Sequence, residues 1–408
     1  MAGVSIDTPA TAGVRAETGH IDHPVIKGIV LIASQCLPVM AVVALLPVIP
    51  KLFQQFGGVP NAGLLVPMII TIPSLCVALS APWAGWLADR IGRRRTLNIS
   101  FGLYVVAALA PLLLSSITLI IISRALVGVA EAGVVTSSGA LTADYYGSNR
   151  KKWLAWQSVA NSVCGTALLA LGGALADVSW QAPFAIYLVT IPFFILSLIY
   201  ITEPTRAVHV TTQEKTIPFS WRAGLLVAAV TLVSSVLYYV EPLHMARILE
   251  ATGVKSHTET GIILALTSLG YIVGSFIYKA LADKQIHLQL AAAGGAIGAG
   301  MIGIGFSSAP MPAAFFAALQ QIGAGMIIPI LLGWGQGVVP FQHRGRIIGF
   351  WATAFFVGMF LCSPMTFAVE TAMGGLQPAV ATLGLVSVIL SLGTFVAGFR
   401  YKTCTPSR

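Results

Sequence analysis

The chain has 408 residues, of which 56% are hydrophobic and only 9% charged, with a formal net charge of +9. A soluble chain of this size carries about 25% charged residues, so water is excluded as the main solvent and a lipid bilayer suits the composition. The positive balance does not indicate nucleic acid, because the basic residues form no single face or arm; they recur in short breaks between apolar runs, as cytoplasmic loops do.

Residues 1–27 read as a short cytoplasmic tail. They hold Asp7, Arg15, Glu17 and Asp22 and lack the basic start of a signal peptide, and the apolar run that follows is too long for a cleaved leader. A membrane-spanning helix needs about 20 mainly apolar residues, and twelve such runs follow in order. The first six are 28–50, 61–86, 97–115, 117–141, 153–175 and 183–202. A polar segment, 203–222, carries Glu203, Pro204, Arg206, His209, Glu214 and Lys215 and reads as a cytoplasmic linker. The second six are 223–246, 259–282, 288–307, 311–338, 346–368 and 376–399, with a cytoplasmic tail at 400–408. The predicted architecture is an all-α membrane fold of two six-helix bundles, 28–202 and 223–399.

Charge placement tests that count. With the N-terminus inside, Lys51, Arg247 and Lys255 fall outside and Arg124 lies within a span, which leaves nineteen of the 23 lysines and arginines on the cytoplasmic side. That bias fixes orientation, places both termini in the cytoplasm, and would be scrambled by a missed helix. The five cysteines lie singly in apolar runs or in the tail, with no Cys-x-x-Cys or Cys/His spacing, so neither a metal site nor a disulfide framework is expected. No Walker loop occurs, no cofactor is implied, and no paired catalytic groups mark a membrane-embedded enzyme. The short loops and tails leave no obvious soluble signalling element, which disfavours a transporter-like receptor.

The most informative stretch runs from Gly85 to Leu97 and includes Asp89, Arg90, Gly92, Arg93, Arg94 and Arg95. It reads as a dense cationic loop between two apolar runs. Its order, Gly-x-Leu-Ala-Asp-Arg-x-Gly-basic-basic-x-x-Leu, resembles the helix 2–3 signature of the major facilitator superfamily. A partial second copy, Tyr278 to Lys284, follows the eighth run, in keeping with two related halves. Arg124 with Gly128 resembles a second motif of that family, and Asp144 resembles the acid that partners the loop arginines. The resemblance implies a conformational latch of Gly85, Asp89, Arg90, Gly92, Arg93, Asp144 and the helix start near Arg344. In physical terms, an anion at Asp89 suits a helix N-terminus, where unpaired amides carry partial positive charge.

Three charges fall within spans, where each needs a partner or a wet cavity. Arg124 and Glu131 are seven residues, or two turns, apart on one face of the fourth run. Glu241 lies on the seventh run, before Pro242. Family architecture places the first, fourth, seventh and tenth helices around a central cavity, so Glu131, Arg124 and Glu241 are expected to handle protons there. Gln35, Asn161, Tyr238, Gln321 and Trp334 are expected to line the substrate cavity; Ser34, Gln157 and Gln320 are weaker candidates. His244 reads as a boundary residue. Gly294/Gly298 and Gly345/Gly349 have GxxxG spacing and are expected to bring helices close.

The expected function is secondary transport of a small organic molecule by alternating access, driven by protons and directed outward for drug-like or metabolite compounds. Leu46 to Pro50 resembles the end of helix 1 in drug exporters. Against export, helix 1 carries no acid, and Leu168-Leu169 stand where an antiporter signature would carry Gly-Pro. The alternative is proton-coupled uptake of a sugar, organic acid or other nutrient. A monomer in a bacterial inner membrane is the expected setting.

Overall fold

Proline and glycine punctuation cuts the chain into its helices. The computed structural model describes residues 23–146, 150–204 and 218–404. Residues 1–22 of the expected N-terminal tail, most of the linker and the end of the C-terminal tail lie outside these residues; the rest of the N-terminal segment is not a tail, since a helix already starts at Pro24 and Lys27 is buried, donating to Thr202 at 2.9 Å. Among the described residues, twelve helices are long and apolar enough to cross a membrane. They are α1 (Pro24–Phe56), α2 (Ala62–Ile91), α3 (Arg93–Leu112), α4 (Ile117–Tyr146), α5 (Lys152–Val178), α6 (Ala182–Tyr200), α7 (Trp221–Ala251), α8 (His257–Leu281), α9 (Ile286–Gly305), α10 (Pro310–Gly337), α11 (Arg344–Met373) and α12 (Leu376–Ala397). No strand occurs among the described residues.

Several ends differ from the sequence expectation for local reasons. The first helix breaks after Val43, where the Leu45 amide turns back to the Val42 carbonyl; a 3-10 turn at Leu46–Val48 follows, and the helix resumes at Ile49–Phe56. Pro47 and Pro50 sit in the first turn of each new segment, where a missing N–H is harmless. The cationic loop expected after α2 is not a loop. Helix α2 runs to Ile91, α3 starts at Arg93, and Gly92 alone turns the chain, at φ +102°.

The same pairings recur in each half. Helix α4 packs on α2 and α3 while α1 packs on α5; correspondingly α10 packs on α8 and α9 while α7 packs on α11. The halves meet through α5 against α8 and α2 against α11. Hereafter the basic face is the end carrying Arg93–Arg95 and the start of α11, and the far face is the opposite end.

Contacts between halves gather toward the far face. A side chain at Gly173 or Gly261 would run into the opposing backbone of α8 or α5. A side chain at Gly63, at the start of α2, would strike the Phe367 ring near the end of α11. At the basic face, the halves part around a groove of about 1010 Å³ whose walls include Ala81 of α2, Leu225 of α7, and Gly349 and Phe356 of α11. Gly345 and Gly349 face open space, contrary to the expected close contact, whereas Gly298 abuts Gly384 and Val388 of α12 as the spacing predicts.

Candidate functional site

The buried charges define the site, and proline explains where one of them goes. A proline inside a helix cannot donate to the carbonyl four residues earlier. Pro73 thus frees the Ile69 carbonyl of α2, and the Arg124 Nε donates to it at 3.1 Å. The break in α1 leaves Ala41 with an unused helix-end carbonyl, which accepts from Arg124 Nη2 at 2.5 Å and from the Tyr187 hydroxyl at 3.4 Å. Arg124 is fully buried, with its guanidinium 5.5 Å from the Tyr187 ring centroid and Nη1 without a hydrogen-bond partner. It braces α1, α2 and α4 together. Gly128, one turn on, lets α4 sit against the backbone of Pro73.

The second half meets the same backbone problem with a neutral side chain. Pro242 frees the Tyr238 carbonyl of α7, and Gln320 Nε2 of α10 donates to it at 3.1 Å. Pro329 frees Gly325, which accepts from Ser275 of α8 at 3.4 Å.

The carboxyls occupy different settings. Glu131 is 3% exposed, and among the described residues no ion pair reaches it; Arg124 spends Nε and Nη2 on carbonyls and leaves Nη1 over. Glu241 is 1% exposed and accepts from Gln321 Nε2 of α10 at 2.6 Å. Glu131 belongs to the first half and Glu241 to the second, and no hydrogen bond or ion pair joins them to each other.

The expected cavity residues divide. Gln321 joins Glu241, and Tyr238 stacks edge-on against Tyr239 and Phe355 beside it. Gln35 is used within the first half: its amide donates to the Val135 carbonyl and to Ser138 on α4, while its oxygen accepts from Gln157 at 3.4 Å. Asn161 has a buried oxygen with no partner. Trp334 does not join this group. It is thirteen residues beyond Gln321 on α10, about 20 Å along the helix, and packs with Val227, Ile347 and Trp351 toward the basic face. His244, seven residues from the far-face end of α7, is 2% exposed and neither ring nitrogen has a partner.

At the basic face, Arg93 pairs with Asp144, tying the start of α3 to the end of α4 within one half. The Arg90 guanidinium lies 5.0 Å from the Trp86 ring, and Asp89 and Arg344 are exposed at their helix ends. Gly85 has room for a side chain, whereas one at Gly92 would come within 2.9 Å of Glu203.

Sequence reasoning missed three polar anchors. The Glu203 carboxylate accepts from the backbone amides of Arg93 (2.7 Å) and Arg94 (2.9 Å), capping α3 from the end of the first half. Arg247 forms a two-pronged pair with Glu370, at 3.1 and 2.7 Å. Asp177 reaches from α5 to the start of α8. Asp177 and Glu203 were legible only as carboxylates near helix ends, and nothing in the sequence says which helix start each one meets.

Comparison with known proteins agrees with this architecture. The family model of the Major Facilitator Superfamily matches residues 31–363. The tetracycline resistance protein, class B, of Escherichia coli is 26% identical over 182 residues, 44% of this chain and 45% of that protein, so the match spans less than half of the relative's length. Among solved structures, a bacterial homologue of the human lysosomal transporter Spinster, inward-facing and occupied, superposes with a TM-score of 0.73 at 14% identity, covering 91% of this chain and 96% of that one. The xylose transporter XylE from E. coli, inward-open, gives 0.70 at 15% identity with the same coverage. An autoinhibited POT family peptide transporter gives 0.69 at 12% identity over 94% of this chain and 99% of that one. With twelve membrane-length helices, a repeated half and this match across most of its length, the chain belongs to the Major Facilitator Superfamily and is a multi-pass membrane transporter, not an enzyme.

Proposed function

We propose that the protein is a proton-coupled exporter of drug-like or metabolite compounds, working as a monomer in a bacterial inner membrane with both termini in the cytoplasm. The observation that carries proton coupling is the pair of buried carboxyls, Glu131 in one half and Glu241 in the other, neither held by a cation among the described residues. Charge inside the membrane is costly without a partner or water. With Arg124 engaged on carbonyls, taking up and releasing a proton is the change of state open to Glu131. Glu241 and Gln321, beside Tyr238, form the corresponding polar point in the second half, where an organic substrate can be held. Rocking of two bundles about such a mid-membrane site is how this class of fold alternates access.

The basic face is assigned to the cytoplasm by the excess of arginine and lysine there. On that assignment the close far-face contacts of α5 with α8 and of α2 with α11 support an inward-facing form. The family resemblance makes Asp89 and the start of α11 the surfaces that latch when the cytoplasmic side closes. Export is favoured over uptake by the likeness to the tetracycline resistance protein. Uptake by symport is the second reading, favoured by Leu168-Leu169 in place of Gly-Pro in α5.

The test is reconstitution in liposomes with an imposed pH gradient and labelled compounds. Accumulation on the acid side supports antiport, and accumulation on the alkaline side supports symport. The Glu131→Gln protein is expected to fold and to lose gradient-driven accumulation. Undiminished coupling in that variant would remove Glu131 from the mechanism.

A further inference from the structure

At the far face α5 ends beside the start of α8, and one side chain joins them. The Asp177 carboxylate accepts from the backbone amides of His257 (2.8 Å) and Thr258 (3.0 Å), and from the hydroxyls of Ser256 (3.2 Å) and Thr258 (2.5 Å). The first amides of a helix lack partners within it and carry partial positive charge, so an anion belongs there. This anion comes from the other half of the molecule. Its own helix end is fixed in turn. The Lys51 ammonium, on the resumed part of α1, donates to the carbonyls of Ala176 (2.6 Å) and Asp177 (3.2 Å), closing the C-terminus of α5. One turn deeper, Gly173 and Gly261 allow the two backbones to touch. Ser256 caps α8 from within by accepting from the Glu259 amide at 3.3 Å, and Asp177 takes the two amides before it.

We propose that Asp177 is the gate residue of the far face: a carboxylate of the first half docked on a helix start of the second, engaged only while that face is closed, whose charge sets the balance between the two access states. The geometry supports this role over simple helix capping. The contact crosses between the bundles, and rocking them apart at this face must break all four bonds together. The Arg247–Glu370 pair gives a built-in contrast. It also lies toward the far face and is a two-pronged ion pair within one half, α7 with α11, so rocking leaves its two bonds intact; what crosses between the halves there is the Arg247 guanidinium over the Phe53 ring of α1, at 4.5 Å, and Glu370→Gln leaves that arginine in place.

The experiment measures the access equilibrium directly. Nitroxide labels at Arg95→Cys and Arg222→Cys, exposed on the basic face of opposite halves, are placed in a variant whose five native cysteines are replaced, and distances are read by pulsed electron resonance in nanodiscs. Asp177→Asn, which removes the charge but keeps an acceptor, is expected to raise the ratio of short to long distances, meaning more molecules closed at the basic face, by about two- to fivefold, the range for a charge at a helix start. Asp177→Ala should shift it at least as far, and Thr258→Val, which removes one donor from the other half, should shift it the same way by less. Glu370→Gln should leave the distribution unchanged. Unshifted distances in both Asp177 variants would overturn the proposal. So would an equal shift in Glu370→Gln, which would mean that any far-face lesion loosens the closure. Should Asp177→Ala fail to fold, the isosteric Asp177→Asn and the partner-side Thr258→Val decide the matter alone.

Discussion

Arg124 offers the most direct test of how this bundle is held together. If its work is to satisfy the carbonyl freed by Pro73, restoring that carbonyl's own donor should remove part of the need for it. Arg124→Met deletes both donated bonds while keeping a long apolar stem. Ala41 retains the Tyr187 hydroxyl as a donor at 3.4 Å, but Ile69 loses its cross-helix partner. A buried carbonyl left unpaired costs about 1–3 kcal/mol, and hydrogen bonds between membrane helices measure about 0.6 kcal/mol on average and at most about 1.7. Pro73→Ala returns an amide to Ile69. In the Arg124→Met background it should therefore recover about 1 kcal/mol. In the wild-type background the carbonyl can accept from both the restored amide and Arg124, so the recovery should be close to zero. The net cost of Arg124→Met alone mixes lost bonds with relief from burying a charge, but the coupling in the double-mutant cycle isolates the shared carbonyl. The assay is reversible unfolding by denaturing detergent in mixed micelles for the four proteins of the cycle. Equal effects of Arg124→Met with and without the Pro73→Ala change would refute the reasoning.

Three further outcomes are expected. Gly92→Ala forces a side chain into a left-handed backbone at φ +102° and against the Glu203 carboxylate, and should cost about 1–3 kcal/mol, whereas Gly85→Ala, whose new methyl meets nothing closer than 3.9 Å, should stay within about 0.5 kcal/mol; the same unfolding assay separates them. Glu203→Ala leaves the α3 amides of Arg93 and Arg94 uncapped and should cost about 1 kcal/mol, with no added loss when Gly92 is also changed, because both act at one helix start. Gln321→Leu removes the donor to Glu241 at 2.6 Å and should raise the KM of transport roughly tenfold or more, the effect of leaving a buried polar group unpaired, while the protein still purifies as a single species; an unchanged KM would take this pair out of substrate handling.

Legibility in the sequence followed the range of the interaction. The twelve spans and two halves were readable because hydropathy and charge bias act locally and repeat. The cationic stretch from Gly85 to Arg95 was readable as a motif but not as a shape: a run of arginines predicts a loop, yet the helices continue to Ile91 and from Arg93, and a single glycine makes the turn. Arg124 was found as a charge out of place, but its partners were not, because they are carbonyls freed by Pro73 and by the break in α1, on other helices. Trp334 was placed in the cavity by residue type, and helix rise alone could have set it apart from Gln321. Asp177 carries no local signal, because a carboxylate near a helix C-terminus is unfavourable by itself; it makes sense only once α8 of the other half is beside it.

The two halves share a backbone problem rather than a set of residues, and the difference bears on function. In each half the first helix, α1 or α7, offers a carbonyl with no helical donor, and the fourth helix of that half, α4 or α10, supplies a donor to it. The first half uses Arg124 and the second uses Gln320. The guanidinium brings a full positive charge into the core near Glu131 with no direct ion pair between them, whereas in the second half the donor is neutral and the neighbouring Gln321 attends to Glu241. Because the guanidinium is anchored to α1 and α2, its distance from Glu131 can change only if those helices move relative to α4. Under the proposed coupling, protonation of Glu131 is then tied to the packing of α1 and α2 against α4, so variants that loosen that packing, such as Gly128→Ala against the Pro73 backbone, should uncouple transport from the gradient before they unfold the protein.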